Sequence, residues 1–169
     1  MLHSMFAGIA LVLVSLQSSA GAPASVTATT VRKAAPDFIL TDSKGGAIKL
    51  SDFKGKVVLL DFWATWCGGC KIEIPWYVEF QGKYKDRGLA TIGVSMDEDG
   101  WKAVKPFLEK TNINYPVVIG NDKLGTLYGL EAMPMTLLID REGKIAVSHV
   151  GVVDKASFEK DIQTLLQSK

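Results

Sequence analysis

Residues Val57 to Ala64 read Val-Val-Leu-Leu-Asp-Phe-Trp-Ala, an apolar run broken by a single carboxylate. Its β-branched and aromatic content points to a strand. The absence of polar alternation points to one buried on both faces. Such a strand needs cover on two sides, which narrows the chain to layered α/β architectures. A second run, Leu89 to Ser95, follows Gly88 and reads the same way. Between the two, Trp76, Phe80 and Tyr84 recur every fourth residue with Tyr77 beside them, the spacing of a helix. Trp101, Val104, Phe107 and Leu108 share one face of another helix, with Asp97 to Asp99 near its start and Pro106 expected to kink it. "YPVVIG" is predicted as a short strand and "NDKLGTLYGL" as a short helix or turn. "MTLLIDREGKIAVSHVG" is predicted as a hairpin turning at "DREG". Phe158, Ile162, Leu165 and Leu166 mark the apolar face of a closing helix. Ahead of all these, "DFIL" and "AIKL" flank the Gly-rich "TDSKGG" as a hairpin would. Strand–helix–strand alternation followed by a hairpin and a helix predicts an α/β fold. A mixed central sheet is flanked by helices in one domain over residues 34–169.

The beginning of the chain reads differently. Met5 to Leu16 form an apolar stretch too short to span a bilayer comfortably, followed by small residues with Ala-x-Ala patterns at Ala20 to Ala22 and Ala22 to Ala24. Residues 1–24 are therefore expected to be a secretory signal, cleaved after Ala20 or Ala24, with an uncleaved anchor as the alternative. Residues 25–33, small and polar, are expected to be a linker. Either reading of the leader places the domain outside the cytoplasm, in the periplasm or tethered to a membrane. With 19 basic and 18 acidic residues the net charge is +1, which gives no electrostatic ground for nucleic acid as a partner.

The chemistry rests on "TWCGGC". Cys67 and Cys70 are the only cysteines. As a structural disulfide they would close almost no chain. As zinc ligands they would lack company, because the histidines are His3, in the leader, and His149, far along the chain. A redox role fits the physics. The pair lies between a buried strand and a helix, so Cys67 stands at a helix N-terminus, where unpaired N–H groups favour a negative sulfur. Cys67 is then the accessible nucleophile toward a substrate disulfide. Cys70, one turn in and sheltered, attacks the mixed disulfide and releases product.

"DFWATWCGGC" resembles the thioredoxin active site. "FWATWCGGCKIEIP" together with "AMPMTLLIDREGKI" resembles the TlpA/ResA branch of secreted or membrane-tethered thioredoxin-like proteins, related to AhpC/TSA, over Ala34 to the C-terminus. The resemblance implies a thioredoxin-like fold with a helix–strand insertion near Gly100 to Ile119. It also implies dithiol–disulfide exchange with cysteine-containing protein substrates, with no cofactor. Trp66 would pack beside the site. Pro134 would follow a cis bond, and the Met133 backbone would pair with an extended substrate. Direction is expected to be reductive, as in cytochrome c maturation, with electrons from a membrane thiol donor, and the protein is expected to be a monomer. Gly69 departs from the pattern, since family members usually carry Pro there; its effect bears on redox potential and direction.

Two acids flank the pair. Asp61, inside the buried run, is either a strand-end residue reaching water or a buried acid able to take the Cys70 proton. Thioredoxin-like proteins carry an acid at this position. Glu73, three past Cys70 and on the same helical face, is either a solvent-facing glutamate or the acid of the C-x-x-C-x-x-E-x-P pattern of the branch. Pro75 removes the helix hydrogen bond to Lys71 and is expected to kink the helix just after the site, shaping it without reacting. Two other functions compete. Cu(I) carriage by Cys67, Cys70 and Met133 would use soft sulfur ligands, but lacks a nearby histidine. A peroxiredoxin-like peroxidase would need a Pro-x-x-x-Thr/Ser-x-x-Cys setting, of which only Thr65 is present.

Overall fold

The computed structural model describes residue 26 and residues 31–168; the expected signal segment lies outside the described residues. A small hairpin opens the domain, β1 (Ile39–Thr41) against β2 (Ala47–Lys49), and a 3-10 turn over Leu50–Phe53 follows. The hairpin turn is tied by Asp42, whose Oδ1 accepts the backbone N–H of Lys44 at 2.8 Å and of Gly46 at 2.7 Å. Then come β3 (Val57–Trp63), α1 (Gly68–Tyr84), β4 (Leu89–Ser95), α2 (Trp101–Lys110), β5 (Val117–Ile119), α3 (Asp122–Tyr128), β6 (Met135–Ile139), β7 (Ile145–Val150) and α4 (Lys155–Gln167).

The main sheet has the order β5-β4-β3-β6-β7, with β3, β4 and β5 parallel and β6 and β7 antiparallel. This is the mixed sheet expected from the sequence, and α2 with β5 forms the inserted helix–strand unit. Every residue of β3 and β4 is buried, because these strands lie inside the sheet with helices on both faces. Val57, Leu59 and Trp63 point to one face and pack with Tyr77, Phe80 and Tyr84 of α1, Val104 of α2, and Phe158 and Ile162 of α4. Val58, Leu60 and Phe62 point to the other, against Leu124 and Tyr128 of α3. Asp61, by the period-two alternation of a strand, shares the α1/α4 face.

The buried stripe of α1 is Cys70, Glu73, Ile74, Tyr77, Phe80 and Tyr84, while Trp76 is half-buried at the edge. Tyr77, beside it, packs into the core with Phe80 and Tyr84. One local reading needs correcting. The acidic cluster before α2 does not support that helix. Gly100 is its N-cap, at φ +52°, and its first turn holds no acid. Asp97 is turned back toward the loop after β3 instead. Ahead of the hairpin, Arg32 pairs with Asp140 at 2.9 Å and the Ala35 N–H donates to the Gly143 carbonyl at 2.9 Å, so the packed domain already includes these residues.

Candidate active site

The two cysteines stand where β3 delivers the chain to α1. Cys67 is the N-cap of α1, with extended backbone at φ −74° and ψ 113°, and its Sγ accepts the backbone N–H of Cys70 at 3.1 Å. A donor from the first helical turn therefore points at the sulfur that must carry charge. Cys67 and Cys70 form a disulfide in this structure, with Cα atoms 5.3 Å apart. Cys67 is 5% exposed and Cys70 1%. Cys67 is the less sheltered of the two, yet far more enclosed than an openly accessible nucleophile, because the disulfide tucks it against the start of the helix. Trp66, by contrast, is 67% exposed and stands out from the surface beside the pair.

The loop carrying Cys67 is anchored from the neighbouring strand. The Thr65 N–H donates to Asp97 Oδ2 at 2.9 Å and the Thr65 hydroxyl to Asp97 Oδ1 at 2.6 Å. The Ser95 hydroxyl adds a 2.8 Å bond to Asp97 Oδ2. Trp63 and Ser95 are register partners in the parallel β3–β4 pair, so residues two further on, Thr65 and Asp97, emerge side by side. Sequence reasoning missed Asp97 as a loop anchor. The usable signal is an acid two residues past one buried strand, matching a hydroxyl two residues past its parallel neighbour.

The Met133–Pro134 peptide bond is cis, as the resemblance implied. Pro134 is buried and Met133 half-buried. Pro134 and Val152, from the segment after β7, close on the backbone of Gly69: a Cβ at that position would lie 2.9 Å from Val152 Cγ2 and 3.0 Å from Pro134 Cδ. A side chain at position 69 would thus have to displace Val152 or press on Pro134. Installing the residue usual in the family, Gly69→Pro, is expected to destabilise the oxidised protein by about 1–3 kcal/mol through overpacking. Adding Val152→Ala should recover part of that loss. Thermal unfolding of the single and double variants checks this, and strictly additive effects would refute the contact.

Neither acid reaches water. Asp61 is 1% exposed and Glu73 fully buried, which sets aside the strand-end and solvent-facing readings. Asp61 faces Thr136 across β6 and Gly93 across β4. Neither of its carboxyl oxygens has a hydrogen-bond partner at ordinary distance among the described residues. Burial pushes its pKa well above the usual carboxylate range. The nearby Glu73 adds to this, and the Thr136 hydroxyl offsets only a small part. Glu73 Oε1 accepts the Val153 N–H at 2.7 Å, while Oε2 has no hydrogen-bond partner among the described residues. Burial raises the Glu73 pKa too, against smaller opposing effects from Val153, Tyr77 and His149. Between the two carboxyls, Tyr77 Oη and Thr136 Oγ1 share a hydrogen bond of 2.8 Å. Sequence reasoning did not single out Tyr77 or Thr136 for the site, since each reads as an ordinary helix or strand residue. Pro75 lies on the exposed side of α1, which continues to Tyr84.

The chain was compared with known proteins. Residues 31–148 match the model of the AhpC/TSA family. The thiol-disulfide oxidoreductase ResA of Bacillus thuringiensis (strain Al Hakam) is 40% identical over 131 residues, covering 76% of this chain and 75% of the relative. ResA of Bacillus subtilis (strain 168) is 37% identical over 123 residues, covering 72% and 68%. Among solved structures, a Chlorobium tepidum protein described as a thiol:disulfide interchange protein, DsbE, superposes with a TM-score of 0.76 at 38% identity, covering 80% of this chain and 96% of that one. The match across the domain, joined to a cysteine pair seated at a helix start in a thioredoxin-like fold, shows that the chain belongs to the AhpC/TSA family, in its ResA-like branch of thiol-disulfide oxidoreductases.

Proposed function

We propose that the protein works outside the cytoplasm as a reductant of protein disulfides, with Cys67 as nucleophile and Cys70 as resolving thiol. The observation that carries this reading is the Cys70 N–H aimed at Cys67 Sγ, at 3.1 Å. It favours the sulfur as thiolate and therefore as attacking and leaving group. In the reduced protein the Cys67 thiolate attacks one sulfur of a client disulfide. The client S–S bond breaks, a mixed disulfide forms, and the departing client thiolate takes a proton from solvent. Cys70 then gives its proton to a buried carboxyl and attacks Cys67 Sγ. The Cys67–Cys70 bond forms, the mixed disulfide breaks, and the second client sulfur leaves and is protonated. The client disulfide gains two electrons and the protein dithiol loses them.

Trp66 and the Met133–Pro134 segment form the client-facing rim in this reading, with the Met133 backbone available to pair with an extended chain. Asp61 is a candidate for the Cys70 proton, because a carboxyl with raised proton affinity can exchange with a thiol. Glu73 joins it from α1. Cysteine-containing clients such as apocytochrome c before haem attachment suit a monomeric reductant fed by a membrane thiol donor. Among the described residues no helix is long and apolar enough to cross a membrane.

The deciding experiment is a redox titration of the cysteine pair against dithiothreitol or glutathione. A midpoint near that of thioredoxin, about −270 mV, is the expected result. One near that of the strong oxidant DsbA, about −120 mV, would reverse the direction. Stoichiometric Cu(I) binding by the reduced protein without disulfide turnover would replace the reading with metal carriage.

A further inference from the structure

We propose that protons exchanged at the buried carboxyls enter and leave the protein at His149, by way of Thr136, Tyr77 and Glu73. The inference rests on the thiol–disulfide reading above and adds to it a route to water. Resolution by Cys70 leaves a proton inside the core, and the next cycle needs that site empty. Asp61 has no contact with solvent and no hydrogen-bond partner of its own among the described residues.

The sheet supplies a row of side chains leading outward. In register, Asp61 of β3 lies opposite Thr136 of β6, and Thr136 lies opposite His149 of β7. Asp61 shares its face with Leu59 and Trp63, and His149 shares its face with Val147; Leu59, Trp63 and Val147 all pack in the core beneath α1 and α4. The row therefore runs under α1, starts at a sealed carboxyl, and ends at an exposed imidazole. Above it, α1 presents Glu73 and Tyr77. Tyr77 Oη shares a 2.8 Å hydrogen bond with Thr136 Oγ1. Glu73 turns one oxygen to the Val153 N–H, keeps the other free of hydrogen-bond partners among the described residues, and feels the charge of His149. The remaining ionisable group near Asp61 is Tyr115, ahead of β5, whose buried hydroxyl has no partner and sits away from the β6–β7 side. Gly93, the register partner of Asp61 on β4, has no side chain to continue the row in that direction. Hydroxyls can pass a proton by accepting one and donating another; the Tyr77–Thr136 bond is the link already formed in the oxidised protein, and the carboxyls and the imidazole join it by side-chain rotation. No bond to carbon or sulfur changes along it: one proton leaves Asp61 and one reaches water.

The test is a repeated-turnover measurement on the full chain, with a peptide disulfide in excess over protein and dithiothreitol to re-reduce the cysteines, in buffer of low capacity, so that each new resolution by Cys70 follows release of the previous proton. His149 is exposed, so His149→Ala removes the port without touching the core. The expected result is that the first cycle keeps its rate while later cycles are slowed about tenfold or more, within the range that positioned proton transfer supplies. Added free imidazole should restore the rate in proportion to its concentration, while the unaltered protein stays insensitive to buffer. Tyr77→Phe, which keeps the ring, should also slow resolution, and imidazole should not restore it. An unchanged rate in His149→Ala at low buffer overturns the proposal. So does a slowed rate that imidazole leaves untouched, which would mark His149 as structural only. Failure of the underlying thiol–disulfide reading would look different, because the unaltered protein would then resolve no mixed disulfide at all.

Discussion

Cys67→Ser is expected to lower disulfide exchange by at least about a thousandfold, because a hydroxyl in place of the thiolate removes the attacking group itself. The fold should persist, since serine keeps nearly the size of Cys67 at the edge of the core beneath α1 and can serve as the N-cap. Cys70→Ser should fail in a different way. Its Cys67 would have lost its disulfide partner but kept its place at the N-cap of α1, so it would still attack and then accumulate as a mixed disulfide with the client. The pair of variants thus separates attack from resolution. Insulin or peptide disulfide reduction gives the rate, and mass spectrometry gives the trapped adduct. A Cys67→Ser protein that still turned over disulfides would remove the helix-start sulfur from the mechanism.

Asp61→Asn should change how stability depends on pH. In the folded protein the Asp61 carboxyl holds its proton well above its ordinary value of 3.8. Below about pH 3.8 the folded and unfolded chains both carry that proton, and its contribution to stability is fully present. As pH rises past 3.8 the unfolded chain releases it while the folded chain retains it. Stability then falls, with a slope of up to about 1.4 kcal/mol per pH unit, until the folded carboxyl ionises too. Glu73, also raised from its ordinary value of 4.5, bends the curve in the same direction. Asparagine removes the Asp61 share of the slope. Denaturant unfolding between pH 4 and 8 should therefore show the variant gaining on the parent protein as pH increases. Parallel curves would mean that Asp61 finds water or a partner when folded.

Much of this fold is legible in the sequence because its inner strands carry continuous apolar runs. Leu89 to Ser95 could be bounded by Gly88 alone, and that strand begins and ends at those residues. The hairpin, the inserted helix–strand unit and the closing helix each announce themselves by a turn signal or an apolar face. The cysteine pair and the cis Pro134 are legible through local motif and resemblance. What stays hidden is contact between distant segments. No periodicity shows that Asp97 serves Thr65 instead of α2, that Val153 reaches Glu73, or that Val152 fills the space above Gly69. The four-residue repeat of aromatics announces α1 but not its inner face: Tyr77, Phe80 and Tyr84 are buried while Trp76 is half-exposed at the edge. Thr136 and His149 acquire a role only once strand register puts them in line with Asp61.

The tether from Asp97 to Thr65 bears on the cost of each catalytic cycle. It grips the loop from the end of β4 and involves neither sulfur, so parting the cysteines removes none of its bonds. The backbone that presents Cys67 thus has a fixed point whose upkeep does not depend on the S–S bond.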